Sequence, residues 1–367
     1  MTRRSFAGAL SAGALSAASK APEFPPYPLY TATGSHRELG RQHGEQASRQ
    51  IHKHLDVIAA SFKGDRAEVR RRAARFRPLF DRYCPHLLEE IRGLAEGARI
   101  PLEDALAVNI RGELGRAPAE GCTAYAIGPK ATGSQGVIAG QNADVAASTM
   151  DFAYVLHLQP VNKPHALFWS FGGMIGYHGM NSAGVCEFAN ALGGGPEGKF
   201  AMPHYPVKRL MLESRSLDEV LKVLERVPLA SNGNYVLCDG SGQVLDVEAT
   251  TAGPQVIRDD GAGYLAHSNH FLCPRYATKQ NHKQGWGDSF HRLDRMNAMI
   301  RERFGKVTVE DVKKFLRDHS GDPAAICRHG AKDSVTAASL IAETANRCLH
   351  VATGNPCANR YVTHTMA

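Results

Sequence analysis

The stretch GCTAYAI at residues 121–127 marks the point at which the chain changes character. Before it, from about residue 36 to residue 116, apolar residues recur at helical spacing. After it, short apolar runs bounded by turn residues predict β-strands, starting with residues 123–127. Further strand-like runs lie at residues 137–142, 154–158, 166–171, 184–188, 244–248, 264–267, 339–343 and 348–353. Separate blocks of helices and strands favour a layered α+β sandwich built on antiparallel sheets.

Composition restricts the classes of protein to which the chain can belong. Its 367 residues are 43% hydrophobic and 22% charged, an ordinary globular composition that argues against a disordered or fibrous protein. The sequence has no apolar run of about 18 residues, which excludes a multi-pass membrane protein. The net charge of +7 includes an arginine-rich stretch at residues 70–77. We interpret that stretch as a solvated helix face, because no nucleic-acid motif accompanies it. Neither nucleic acid nor a membrane is an expected partner.

The amino terminus has the pattern of an export signal. Residues 2–6 read TRRSF, a twin-arginine pattern, and a weakly apolar stretch rich in alanine and glycine follows. A frayed terminus of low complexity is the alternative. We predict a twin-arginine signal over residues 1–21 and therefore a periplasmic or secreted protein.

Cysteine spacing argues against a structural metal site. The eight cysteines include no C-x-x-C pair and no zinc-finger spacing with histidine. His267 and His270 form an H-x-x-H pattern, but no carboxylate or third ligand lies near them in the sequence. Phosphate-binding glycine loops are also absent from the sequence. The sequence thus predicts neither a metal nor a cofactor.

Cys122 stands apart from the other cysteines, because it follows Gly121 at the change from helices to strands. Its thiol could attack the preceding carbonyl, since glycine offers no side chain to obstruct the approach. Hydrolysis of the resulting thioester would leave Cys122 as a new amino terminus. A free α-amine, with a pKa of about 7.7–8.0, can accept the thiol proton and so serve as general base. A purely structural cysteine is the alternative, because Gly-Cys dipeptides are common.

Several blocks together strengthen the catalytic interpretation. They are GCTAY at residues 121–125, GQNAD at 140–144, GYHGMNSAGV at 176–185 and HSNH at 267–270, with looser matches at 288–295 and 326–328. In this order they resemble the acyl-coenzyme A:6-aminopenicillanic acid acyltransferase family of autoproteolytic N-terminal nucleophile hydrolases.

The resemblance implies a four-layer αββα sandwich with two antiparallel sheets, preceded by a helical leader. It implies self-cleavage between Gly121 and Cys122 into two chains that stay associated. Residues 22–121 would form the small, mainly helical chain. Residues 122–367 would form the large catalytic chain, and the two would share one αββα domain.

Carried over by position, the resemblance also assigns roles to single residues. Cys122 would be the nucleophile. Asp144 would orient its amine or assist self-cleavage, with a turn-capping role as the alternative. Asn269 would donate to the oxyanion, an interaction whose removal typically costs about 100- to 1,000-fold in rate. For substrate binding, Arg328 could hold a carboxylate or form a structural ion pair, and Tyr125 could wall the pocket or belong to the core.

The predicted substrate is a small acyl amide or acyl thioester. An exported enzyme would not be expected to meet acyl-coenzyme A, so water would be the acyl acceptor. A choloylglycine hydrolase or penicillin V acylase-like enzyme shares the expected fold, but the long helical leader argues against it. An exported binding protein with an uncut chain and a papain-like protease with a catalytic histidine are the further alternatives.

Overall fold

The computed structural model describes residues 23–115, 121–133, 136–284, 287–330 and 334–366, without the side chains of residues 282–284. The predicted export signal, residues 1–21, lies outside the described residues. The strands are β1 Leu29–Gly34, β2 Gly121–Ile127, β3 Ile138–Val145, β4 Ala153–Pro160, β5 Ala166–Phe171, β6 Gly179–Asn181, β7 Cys186–Ala191, β8 Gly233–Cys238, β9 Val244–Thr250, β10 Gly253–Ile257, β11 Tyr264–His267, β12 Val335–Glu343, β13 Cys348–Thr353 and β14 Tyr361–Thr365.

The helices are α1 His36–Gln46, α2 Ser48–Ser61, α3 Arg66–Ala74, α4 Arg77–Tyr83, α5 Pro85–Ala98, α6 Leu102–Asn109, α7 Arg111–Leu114, α8 Pro129–Thr132, α9 His204–Met211, α10 Leu217–Arg226, α11 Lys279–Gln284, α12 Ser289–Glu302 and α13 Val309–Leu316. A 3-10 helix spans Ala147–Phe152. Among the described residues, each helix is too short or too polar to cross a membrane.

The strands form two sheets that pack face to face. One has eight strands in the order β1-β4-β5-β6-β7-β8-β9-β10, and the other has six in the order β11-β2-β3-β12-β13-β14. Strands β2 and β3 lie against β7 across the interface. Helices α1 and α2 contact the eight-stranded sheet, while α12 and α13 contact the six-stranded sheet. The layers therefore run helix, sheet, sheet, helix, which confirms the predicted αββα sandwich.

One strand pair departs from the predicted antiparallel arrangement. Strand β1, from the leader, pairs in parallel with β4, with Leu29 opposite Val155 and Gly34 opposite Pro160. The remaining described strand pairs that carry a register are antiparallel. A short hairpin can join only antiparallel strands, but the connection between β1 and β4 is long enough to allow parallel pairing. The leader thus supplies a strand to the sandwich as well as helices.

Helices α1 to α7 confirm that the leader is mainly helical. Helices α1 and α5 approach so closely that an added Cβ at Gly40 would lie 1.8 Å from the carbonyl oxygen of Glu90. A Cβ at Gly93 would lie 2.0 Å from the carbonyl oxygen of Arg37. Glycine is required where two backbones meet at such distances. The leader is therefore packed as an integral layer of the fold, and its separation into a second chain remains a prediction.

Candidate active site

Pairing of β2 with β3 sets the position of Cys122. In this antiparallel pair Gly121 lies opposite Asp144, and Cys122 lies opposite Ala143. Successive side chains in a strand point to opposite faces, so Cys122 shares a face with Ala124. Ala124 belongs to the core between the sheets. The Cys122 side chain is 3% exposed and lies toward the eight-stranded sheet.

Asn269, Arg292 and Gln141 all contact Cys122. Its backbone N–H donates to Asn269 Oδ1 at 3.1 Å. Its carbonyl oxygen accepts a short hydrogen bond from Arg292 Nη1. Gln141 Nε2 lies 3.9 Å from Cys122 Sγ, at the long end of hydrogen bonds to sulfur. The backbone on both sides of the cysteine is therefore held, with an amide donor beside the thiol.

Asn269 is the residue that ties this backbone to its surroundings. Its Oδ1 also accepts from Arg292 Nη2 at 2.7 Å. Because a guanidinium only donates, this contact fixes which end of the amide faces Cys122. Asn269 Nδ2 donates to the carbonyl oxygen of Ala191 at 2.9 Å, and its backbone N–H donates to Ser289 Oγ at 2.7 Å. The structure thus brings Asn269 to Cys122 with its oxygen toward the nitrogen of the predicted nucleophile.

A chain of alternating charges continues from Arg292 to Asp144. Arg292 Nη2 lies 3.4 Å from Asp288 Oδ1, and Asp288 Oδ2 accepts from Arg328 Nη2. Arg328 Nε lies 3.4 Å from Asp144 Oδ2, while Asp144 Oδ1 accepts from Thr336 Oγ1 at 2.7 Å. Asp144 and Arg328 are therefore brought together, and both Arg328 contacts are to carboxylates of this chain. The predicted binding of a substrate carboxylate by Arg328 stays a prediction.

Asp144 is only partly compensated by the cations around it. Burial raises the pKa of its carboxyl to about 6, although the charges of Arg328 and Arg292 act in the opposite direction. At Asp288, which is less buried, the same two arginines outweigh burial and lower the pKa. A carboxyl that titrates near neutrality beside a predicted nucleophile is a candidate for proton transfer.

The local geometry also explains why glycine precedes the cysteine. An added Cβ at Gly121 would lie 3.3 Å from Asp144 Oδ2 and 3.4 Å from the Arg328 guanidinium. These contacts would press a side chain against the buried ion pair. Gly121 therefore lets Asp144 lie directly beside the peptide bond that is predicted to be cleaved.

Tyr125 requires a correction, because it lies on the face of β2 opposite to Cys122. An odd spacing of three residues places the two side chains on different sides of the sheet. The Tyr125 ring belongs to the core beneath α12 and α13, and its hydroxyl donates to the carbonyl oxygen of Leu340 at 3.3 Å. The structure assigns it to the core and not to the wall of the pocket.

Sequence reasoning missed the parts played by Arg292, Asp288, Gln141 and Thr336. Arg292 and Asp288 lie in a block that resembles the family only loosely, and Gln141 lies within the GQNAD block. Membership in these blocks was the sequence feature that could have pointed to Arg292, Asp288 and Gln141. The contacts of these residues join positions that are far apart in the chain, so spacing alone could not assign them.

A cavity of about 230 Å³ meets the site at Ala191, and its described lining includes neither Cys122 nor Asn269. Its lining includes Ala191, whose carbonyl oxygen holds Asn269 Nδ2. Glu113, near the end of the leader, also lines it; burial raises the pKa of this carboxyl to about 7, against a hydrogen bond from Ser231. Lys208 lies in the same wall. Ionisable groups from both sides of the predicted cleavage position therefore line one cavity.

Comparisons with known proteins identify the family of the chain. Residues 131–358, more than half of the chain, match the family model described as acyl-coenzyme A:6-aminopenicillanic acid acyl-transferase. The 40 kDa form of acyl-coenzyme A:6-aminopenicillanic-acid-acyltransferase from Emericella nidulans is 27% identical over 341 residues, which cover 89% of this chain and 92% of the relative. The family match includes Asp144, Asn269 and Arg328 and begins after Cys122.

Solved structures with similar folds are more distant. A variant of conjugated bile acid hydrolase from Clostridium perfringens superposes with a TM-score of 0.46 at 14% identity, covering 67% of this chain and 97% of its own. Penicillin V acylase from Agrobacterium tumefaciens superposes with a TM-score of 0.39 at 12% identity, covering 64% and 75%.

Proposed function

The chain belongs to the acyl-coenzyme A:6-aminopenicillanic acid acyl-transferase family, and on that premise we propose that it is a self-cleaving cysteine amidohydrolase or acyltransferase. Cleavage would occur between Gly121 and Cys122. The released Cys122 would then take an acyl group from an amide or thioester. The observation that carries this proposal is the contact of the Cys122 nitrogen with Asn269 Oδ1, since that nitrogen becomes the catalytic amine.

Self-cleavage would proceed as a transfer from nitrogen to sulfur. The Cys122 thiol attacks the carbonyl carbon of Gly121, a C–S bond forms, and the C–N bond between the two residues breaks. The departing nitrogen takes the proton lost by the thiol and becomes an α-amine. Water then hydrolyses the thioester, leaving a carboxylate on Gly121 and a free thiol on Cys122. Asp144, beside Gly121, would relay the proton in this sequence.

Turnover would reuse the same atoms. The α-amine accepts the thiol proton, and the thiolate attacks the acyl carbonyl of the substrate. The protonated amine then donates to the leaving group, and an S-acyl-Cys122 thioester remains. Water or a second amine attacks this thioester, the α-amine accepts the proton of the incoming group, and the thiol is regenerated. Asn269 Oδ1 would orient the amine, and its Nδ2 would serve as the oxyanion donor.

The cavity beside Asn269 is the proposed substrate site. Glu113 and Lys208 in its wall favour a substrate that carries a polar or charged group next to its acyl chain. Residues 22–121 would remain bound as the small chain, because β1 of that segment pairs with β4 and Glu113 accepts a hydrogen bond from Ser231 Oγ. The proposed export of the protein makes water the acyl acceptor in place of a second amine.

Trapping of the acyl-enzyme tests this function. The wild-type protein would be mixed with N-acyl amides and acyl thioesters of graded chain length, quenched in acid and measured by mass spectrometry. We expect the added acyl mass on the fragment that begins at Cys122. A Cys273→Ser variant is the matched control and should retain that adduct. Turnover by Cys122→Ala at the wild-type rate would overturn the proposal.

A further inference from the structure

Four side chains outside the candidate active site bring metal-ligating atoms together. They are His319, Cys327, His329 and Cys357, here called the Cys/His cluster. One ligand atom from each lies within 4.8 Å of all the others. Cys327 is buried, whereas the other three are exposed, so an ion could reach the cluster from solvent.

The distances within the Cys/His cluster resemble those of a tetrahedral zinc site. With Zn–S near 2.3 Å and Zn–N near 2.0–2.1 Å, ligand atoms around one ion lie about 3.3–3.8 Å apart. His329 Nε2 is 3.6 Å from Cys327 Sγ and 3.4 Å from Cys357 Sγ. It is 2.9 Å from His319 Nε2, so this pair would separate by a few tenths of an ångström on binding an ion.

We propose that the Cys/His cluster is a structural zinc site. Two thiolates and two imidazoles are a donor set that selects zinc, and four protein ligands close the coordination shell. Binding would form two Zn–S and two Zn–N bonds and release the two thiol protons to solvent. This assignment departs from the sequence analysis, which predicts no metal.

The spacing explains why the sequence conceals this site. Cys327 and His329 are close neighbours, but His319 follows α13 and Cys357 lies between β13 and β14. No zinc-finger pattern contains this order of ligands. Folding of the six-stranded sheet is what brings the three segments together.

The bonds around the ligands suggest what the metal would hold in place. Asn355 Nδ2 lies 3.6 Å from Cys327 Sγ and donates to the carbonyl oxygen of Arg328 at 2.7 Å. Two of the proposed ligands, Cys327 and His329, are the neighbours of Arg328 in the sequence. The Arg328 side chain contacts Asp144 and Asp288 in the candidate active site. Such outer contacts commonly fix the orientation of a metal ligand. A bound ion would therefore restrict the motion of the loop that carries Arg328. Any effect of this restriction on activity rests on the proposed function.

Metal content gives a test that does not depend on activity. Protein purified under reducing conditions would be incubated with zinc, freed of excess ion and analysed by elemental mass spectrometry. We expect about one zinc ion per chain for a site of this kind. His319→Ala and Cys357→Ser should bind at least about tenfold more weakly. Cys273→Ser and His165→Ala, which replace residues of the same types outside the cluster, should bind as the wild type does.

Cobalt supplies a second readout of the coordination shell. In the wild type we expect the visible bands of a tetrahedral Co²⁺ ion and thiolate-to-metal absorption, both lost in Cys357→Ser. The measurement is repeated on uncut Cys122→Ala protein, which keeps the zinc result separate from self-cleavage. Absence of stoichiometric zinc in reduced protein would overturn the proposal. A Cys327–Cys357 disulfide with no metal binding after reduction would also overturn it and would assign the pair to a covalent link.

Discussion

Two clusters of charged side chains in this chain have opposite effects on the pKa of a buried carboxyl group. The first, the junction cluster, consists of His36, His86, Glu90, Arg209 and Glu213 and joins the leader helices to α9. The second contains Asp144, Asp288, Arg292 and Arg328 around the candidate nucleophile. Comparing Glu213 with Asp144 shows how burial can serve either stability or reactivity.

In the junction cluster the cationic groups outweigh burial and lower the pKa of both carboxyls, Glu90 and Glu213. Arg209, with 0% exposure, lies 3.1 Å from both Glu90 Oε2 and Glu213 Oε1. His86 Nε2 lies 3.0 Å from Glu213 Oε2. Burial acts to raise the pKa of Glu213, but the charge of Arg209 and the hydrogen bond from His86 lower it to about 2. Arg209, Glu90 and Glu213 remain ionised, and their contacts join the leader to α9.

At Asp144 the balance is reversed. Its nearest cation, Arg328 Nε, is 3.4 Å away and makes no hydrogen bond to Asp144 Oδ2. Burial outweighs the charges of Arg328 and Arg292 and raises the pKa of Asp144 to about 6, whereas Glu213 also has His86 as a hydrogen-bond partner. A carboxyl with a pKa of about 6 can gain and lose a proton near neutral pH. Glu213, whose pKa is lowered to about 2, stays ionised there. On the proposed function, the junction cluster would hold the leader to the rest of the fold, whereas Asp144 in the second cluster would transfer protons.

Removing the central cation should have the largest effect on stability. Arg209→Met leaves Glu90 and Glu213 buried without their common partner, so we expect the free energy of unfolding to fall by about 3–5 kcal/mol. Urea denaturation monitored by circular dichroism measures the change. Arg41→Met, at an exposed helix position paired with Glu45, is the control and should change stability little. Equal losses in the two variants would contradict the structural role of the junction cluster.

The side-chain amide of Asn269 should contribute more to the reaction rate than to the stability of the fold. We expect Asn269→Ala to lower kcat by about 100- to 1,000-fold, since an oxyanion donor and the oxygen facing the amine are both removed. Steady-state kinetics on matured protein gives kcat and KM, and thermal unfolding checks the fold. Asn346→Ala, at an exposed turn, is the control. An unchanged kcat in folded Asn269→Ala would remove this residue from the mechanism.

The two carboxyls should give opposite dependences of stability on pH. The raised pKa of Asp144 means that its contribution is present below its unfolded pKa of 3.8 and is lost as pH rises through about 6. The difference between wild type and Asp144→Asn should therefore change by on the order of 2–3 kcal/mol between pH 4 and 7. Urea titrations across this range measure it.

Glu213→Gln supplies the matched comparison. The pKa of Glu213 is lowered from 4.5 to about 2, so its stabilisation is present above pH 4.5 and is lost as pH falls toward 2. The loss caused by Glu213→Gln should accordingly shrink as the pH falls from about 4.5 toward 2. Parallel pH profiles for the two variants would refute the contrast between the clusters.

The smallest effect is expected at Tyr125. Tyr125→Phe removes one hydrogen bond to the carbonyl oxygen of Leu340, which should cost about 1 kcal/mol of stability. Because the ring lies on the face opposite to Cys122, KM should stay unchanged. A shift in KM without loss of stability would return Tyr125 to the substrate pocket.

Most of the fold could be predicted from the local spacing of apolar and turn residues. The change at Gly121 coincides with the start of β2, and the predicted runs at 244–248, 264–267 and 348–353 match β9, β11 and β13 closely. Strand β1 escaped notice because its partner β4 lies more than a hundred residues away, and its parallel pairing leaves no hairpin signal. Strands β8, β10 and β14 were also not predicted, although each pairs with a strand next to it in the chain.

Some residues of the candidate site could be predicted from local motifs, and others could not. Cys122, Asp144 and Asn269 could be identified from motifs, and the structure places all three at one end of the β2–β3 pair. Arg292 and the Cys/His cluster could not, since their contacts join separate segments. The position of Tyr125 was within reach, because its odd spacing from Cys122 already assigns it to the other face.

The mass and amino-terminal sequence of the purified chains test the central claim most directly. Wild type and Cys122→Ala would be compared by intact mass spectrometry under denaturing conditions, followed by amino-terminal sequencing. We predict a wild-type fragment that starts Cys122-Thr123-Ala124 and a Cys122→Ala chain that is uncut at this position. A folded wild-type chain that remains intact between Gly121 and Cys122 would contradict the account, because the proposed catalytic amine would never form.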